Sequence, residues 1–181
     1  MILGLSLPAT FSGEVVSQLL RYNRGAILSG EVWRLLTAHF VHGSPGHWLL
    51  DISGLLLVWA LFRQWMGGWQ DIVAFFVISA GVSLGVLLLN PHTLWFVGLS
   101  GVLHGLFAMY LVIGLWQGDR TLLVLLGALI GKLAYEQAVG ALPGSEQVVG
   151  MPVLVDAHLY GAITGALWGV VRARRQYSEE P

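Results

Sequence analysis

The chain contains no cysteine. That removes disulfides, thiolate metal sites and a cysteine nucleophile together. Charge is almost as scarce: 10% of the 181 residues are charged, against about 25% in soluble domains. Nine basic and ten acidic residues leave a net charge of −1, and no basic surface interleaved with aromatics offers itself to nucleic acid. The apolar residues 1–11 lack a basic n-region and do not read as a cleavable signal peptide. What fills the chain is apolar, with 56% hydrophobic residues and a mean hydropathy of +0.73. This is the composition of an all-α polytopic membrane protein, a single domain over residues 1–181 with no room for a separate soluble one.

Punctuation divides the chain into six spans. Residues 1–11 rise only about 16 Å in a helix, short of a hydrocarbon core about 30 Å thick, so the first span is short or incomplete. Residues 21–46 are polar and broken, and Trp33 and Arg34 suit a first loop lying in the interface. Spans follow at 47–62, 72–89, 94–116, 121–139 and 153–171, separated by turns and by a Gly/Pro loop at 140–152. Arg172, Arg174 and Arg175 stop the last span and open a cytoplasmic tail over 172–181. Arg63 and Arg120 fall on the same side as that tail, whereas Arg21, Arg24 and Arg34 share one loop on the other. The positive-inside rule places the larger set in the cytoplasm.

Ser100 stands between glycines in Gly98-Leu99-Ser100-Gly101, and His158 precedes Gly161, Gly165 and Gly169. Two complete crossings separate Ser100 from His158, and each lies near the start of its span. Both therefore belong at one shallow depth on the non-cytoplasmic side. Glycines four apart let membrane helices approach closely, and Gly101 and Gly105 are the matching small positions beside Ser100. A close crossing would bring an imidazole to a hydroxyl, the geometry that activates a serine. The plainer alternative is that both glycine stripes only pack helices and His158 bonds a carbonyl.

Gly98-x-Ser100-Gly101, Ala157-His158-x-x-Gly161-x-x-x-Gly165, Trp33-Arg34 and His42-x-x-x-x-His47, in this order, resemble the rhomboid intramembrane serine proteases. The resemblance covers residues 31–171. His104, Tyr22-Asn23-Arg24 and Lys132-x-x-x-Glu136 look like the rhombosortase branch. The resemblance implies a six-transmembrane-helix rhomboid-like bundle with an interfacial first loop, multi-pass in the cell inner (plasma) membrane. It implies Ser100 as nucleophile and His158 as general base, a dyad without an acid, and no cofactor. Oxyanion donors would be the Ser100 N–H and His47. Rhomboids often carry asparagine four residues after that histidine; here Asp51 stands there, either protonated or turned to hold His47. His104 occupies the place of an aromatic ring stacked on the catalytic histidine, and would stack on His158 or bond to it. Lys132 and Glu136, spaced i, i+4, either neutralise each other or form a substrate gate. Asp156, on the opposite helical face from His158, is not assigned a role.

The implied partner is a transmembrane protein substrate with a helix-destabilising, Gly-rich segment, ending for the rhombosortase branch in a Gly-Gly sorting tail. Water or a lipid-derived amine would accept the acyl group. Two other classes stay open. His39, His42 and His47 could form a metal-dependent membrane enzyme, although the His-Glu-x-x-His spacing is absent. A non-catalytic rhomboid-like scaffold or small transporter would use the fold without the chemistry.

Overall fold

The structure, a computed structural model, describes residues 13–178. The short first span expected at residues 1–11 lies outside the described residues. Helices α1 (Glu14–Leu20), α2 (Arg24–Leu28) and α3 (Arg34–Thr37) make up the polar N-terminal segment, with strand β1 (Tyr22–Asn23) between the first two. The long elements are α4 (Pro45–Phe62), α5 (Trp69–Leu89), α6 (Ser100–Trp116), α7 (Leu123–Val139) and α9 (Val155–Ser178). Strand β2 (Trp95–Phe96) precedes α6, and the short α8 (Ser145–Val149) interrupts the loop before α9. Among the described residues, three segments are long and apolar enough to cross a bilayer, Pro45–Trp65, Trp69–Leu89 and Arg120–Val139; Ser100–Trp116 is a shorter apolar helix.

Helix α6 is the axis of the bundle. Val102, Leu103, Gly105, Ala108 and Leu111 are all buried, around its whole circumference, as expected of a helix apolar on every side. Its seam with α9 is backbone against backbone. A Cβ built on Gly161 would strike the Gly101 carbonyl, one on Gly165 the Gly105 carbonyl, and one on Gly169 would lie 2.8 Å from the Met109 carbonyl. Helix α5 packs behind this seam, with Thr164 seated over Gly81 and Tyr160 over Gly85.

The expected span at 94–116 is a helix only from Ser100 onward. Residues before it are extended because Trp95 and Phe96 pair antiparallel with Asn23 and Tyr22. Gly98 then turns the chain at φ +118°, a conformation that favours glycine. The loop at 140–152 contains α8, not open chain alone. The last helix runs on to Ser178, past the expected stop. Arg172 is buried there, ion-paired with Asp71 and lying 5.9 Å from the Tyr110 ring centre. Its charge is satisfied inside the bundle, so it does not end the helix.

The N-terminal segment is tied down by polar contacts. Arg34, buried rather than exposed at an interface, donates to the Gln18 and Arg21 carbonyls at 2.7 and 2.9 Å and to Glu31 at 2.7 Å. His39, wholly buried, bridges toward α5: its Nδ1 lies 3.1 Å from the Gly98 carbonyl and its Nε2 3.1 Å from Ser83 Oγ. Burial pushes its pKa below the ordinary histidine value, against the opposing pull of the Gly98 and Ser79 carbonyls that face its two nitrogens.

Candidate active site

Four elements deliver side chains to one place. Ser100 is the first residue of α6, His158 lies in the first turn of α9, Glu136 in the last turn of α7, and His47 in the first turn of α4. The start of α4 is fixed by Ser44, whose Oγ accepts the His47 N–H at 3.0 Å, and by Pro45 at the first helical position. Helix α6 has no side-chain cap, so the N–H groups of its opening turn, Ser100 among them, project from the end of the helix toward the site.

Ser100 Oγ lies 3.0 Å from His158 Nε2. On the other side of the ring, Nδ1 lies 3.0 Å from Glu136 Oε2 and 3.1 Å from Oε1. His158 is buried, and His104 stacks on it with ring centres 4.2 Å apart and planes inclined by 16°. His104 Nδ1 donates to the Ser100 carbonyl at 2.7 Å. The third ring nearby, His47, takes the Gly43 N–H on Nδ1 at 3.4 Å. Its proton therefore sits on Nε2, which faces Gly98 and Asp51.

Asp51 faces three donors. Its Oδ2 accepts the Leu99 N–H at 2.8 Å and lies 3.2 Å from His42 Nε2 and 3.4 Å from His47 Nε2. Of the two expectations for Asp51, this geometry corresponds to holding His47. It also does something sequence did not indicate, fixing the backbone one residue ahead of Ser100.

Lys132 and Glu136 do pair, Nζ to Oε1 at 2.7 Å. A site without an acid, as the resemblance implied, is not what the geometry contains, because the Glu136 carboxylate faces His158 as well. The signal for it was an ionisable residue inside a span, which marks functional sites by default. Asp156 accepts from Asn90, the residue just past the end of α5, while His158 Nδ1 faces Glu136.

The histidine cluster considered as a metal site does not converge. His39 is committed to Gly98 and Ser83, while His42 and His47 share Asp51. Among the described residues, ligand atoms of His104, Glu136 and His158 lie within 4.8 Å of one another. The two rings there are stacked, which points their nitrogen lone pairs along parallel planes and not at one ion. A cavity of about 1280 Å³ opens over the site. Leu57 and Val58 of α4, Leu103 and Phe107 of α6, and Ala128 and Leu129 of α7 line its apolar side.

These features define a class: a helical membrane protein with a serine and a histidine in hydrogen-bond contact at the buried start of its central helix. Residues 29–175 match the Rhomboid domain, and the chain belongs to the rhomboid family. It is also 26% identical over 98 residues to "Putative rhomboid protease YdcA" of Bacillus subtilis (strain 168). That match covers 54% of this chain, and the chain spans about half, 49%, of the relative's length.

Proposed function

We propose that this protein is an intramembrane serine endopeptidase in which Ser100 is the nucleophile and His158 the general base. The observation that carries the reading is the 3.0 Å contact between Ser100 Oγ and His158 Nε2 at the floor of an apolar cavity. His158 Nε2 takes the Ser100 proton as Oγ bonds to the scissile carbonyl carbon. The oxyanion that forms is met by the Ser100 N–H, with its backbone fixed through the Leu99 N–H bond to Asp51; His47, whose Nε2–H faces Asp51, becomes the second donor by turning that N–H from the carboxylate. As the C–N bond breaks, the proton on His158 passes to the departing amine. Water, or a lipid-derived amine, then attacks the acyl-serine and His158 repeats the exchange.

The substrate is a single-pass membrane protein with a Gly-rich, easily unwound segment. In the finer reading that segment is a Gly-Gly C-terminal sorting tail, the rhombosortase role, which the residues His104 and Lys132-x-x-x-Glu136 support by resemblance. The enzyme works in the inner membrane with its site toward the non-cytoplasmic face. Co-expression with a reporter ending in Gly-Gly, an apolar helix and arginines, beside an ordinary rhomboid substrate, tests class and branch. Cleavage lost in Ser100→Ala and His158→Ala is the expected result; processing that survives Ser100→Ala refutes the protease reading.

A further inference from the structure

Glu136 is the one buried residue of α7. The rest of its packing on the core is by partly buried leucines, Leu125, Leu126 and Leu129. Of its apolar window, 11% is buried, against 39% in α5, and a Cβ added at Gly127 or Gly131 would meet nothing within 4 Å. A buried carboxylate is costly unless paired and hydrogen-bonded, so it is a poor fastener for a helix surrounded by lipid. Its contacts are specific: His158 Nδ1 from α9 on one side and Lys132 Nζ, one turn earlier on α7, on the other. His104 of α6 is the remaining titratable group facing it.

We propose that Glu136 is a positioning residue that completes a Ser100–His158–Glu136 array, and that α7 supplies it, so the array exists only while α7 lies against the bundle. This rests on the serine protease reading above. An imidazole with a single N–H has two tautomers, and a carboxylate at Nδ1 selects the one that leaves the Nε2 lone pair facing Ser100 Oγ. When the serine proton arrives at Nε2, the same carboxylate stabilises the imidazolium. Stacked His104 cannot do this, because its ring lies face to face with His158 at 4.2 Å and presents no lone pair in the plane of that ring's N–H. Lys132 balances the Glu136 charge while the ring is uncharged. Its side chain is 29% exposed and can relax toward the cavity when the ring becomes cationic.

The test uses the full chain in detergent or bilayers, with the Gly-Gly reporter and a fluorophosphonate probe for Ser100. Glu136→Gln keeps the volume and an acceptor but removes the charge; kcat should fall about 100-fold or more with KM within about threefold. Glu136→Asp should recover part of that loss. Lys132→Met should keep kcat within about tenfold. Nitrogen-15 spectra of histidine-labelled protein, assigned by difference from His158→Ala, should show the His158 proton on Nδ1 in the unsubstituted protein, a readout that needs no folded Glu136 variant. Wild-type kcat in Glu136→Gln, or a His158 Nδ1 without its proton, overturns the proposal. So does a raised KM or weakened fold with kcat and tautomer unchanged, the pattern of a mere helix fastener. A silent Ser100→Ala beside a fully active Glu136→Gln defeats this inference alone, whereas an active Ser100→Ala defeats the protease reading first.

Discussion

Gly161→Ala should uncouple activity from folding. The added Cβ would run into the Gly101 carbonyl, with the Gly101 carbonyl carbon only 2.8 Å away. Both are backbone atoms in helices and neither can rotate aside. Ordinary contact therefore requires α6 and α9 to part by about 1 Å, an overpacking cost of about 1–3 kcal/mol. Ser100 is the residue just before Gly101, and His158 lies about one turn before Gly161. The same parting would stretch their 3.0 Å contact to about 4 Å, no longer a hydrogen bond, and misplacement of that size costs about 100-fold in rate. Gly101→Ala is milder, since its Cβ would sit 2.9 Å from the Ala157 carbonyl. Gly131→Ala, in open space on α7, should be neutral or gain about 0.5–1 kcal/mol from helix propensity. Reporter cleavage, fluorophosphonate labelling of Ser100 and thermal unfolding, measured across the three variants, separate rate from stability. Wild-type cleavage by Gly161→Ala would refute the claim that the glycine seam sets the distance between nucleophile and base.

Asp51→Ala strands the buried Leu99 N–H and should cost about 1–3 kcal/mol of stability and at least about tenfold in kcat. Asp51→Asn, whose amide oxygen can still accept from Leu99, should lose less on both counts, by unfolding and turnover assays. His104→Phe should keep the stack on His158 and stay within about tenfold of wild-type activity, while His104→Ala should fall further. Lowered pKa at His39 makes the folded protein bind a proton less readily than the unfolded chain. Stability from this residue is thus complete above the ordinary histidine value and drains away as pH falls below it, by at most about 1.4 kcal/mol per pH unit. Unfolding midpoints at pH 7.5 and 5 should differ by less in His39→Gln than in wild type.

Much of this arrangement was written in the sequence because spacing and depth are one-dimensional. The glycine repeats of 101 and 105 with 161, 165 and 169 specify which faces of α6 and α9 meet, since nothing larger fits there. The late start of α6 was less legible: Leu94–Gly98 is as apolar as a span. The strand pair that holds Trp95 and Phe96 extended joins residues far apart in the chain. Arg172 read as a stop signal because composition cannot reveal that Asp71, some hundred residues earlier, waits inside the bundle to neutralise it.

Glu136 marks the boundary most sharply. Counting crossings was enough to bring Ser100 and His158 to one depth, and the same count brings the end of α7, with Glu136 in its last turn, to that depth too. Rotation about the helix axis is what depth leaves open. For α6 and α9 the glycines resolve it. Helix α7 is apolar on nearly every side and mostly exposed, so no stripe of small or apolar residues distinguishes its inward face. Its inward face is chosen by the polar residues instead, since a carboxylate and an ammonium in hydrocarbon must turn toward a partner. The i, i+4 pair offered one such partner in cis, which made a second appear unnecessary. Yet a carboxylate has lone pairs for several donors, and Lys132 takes only part of that capacity. The unfilled remainder, at the depth of a histidine with a free ring nitrogen, was the legible clue to the third member of the site.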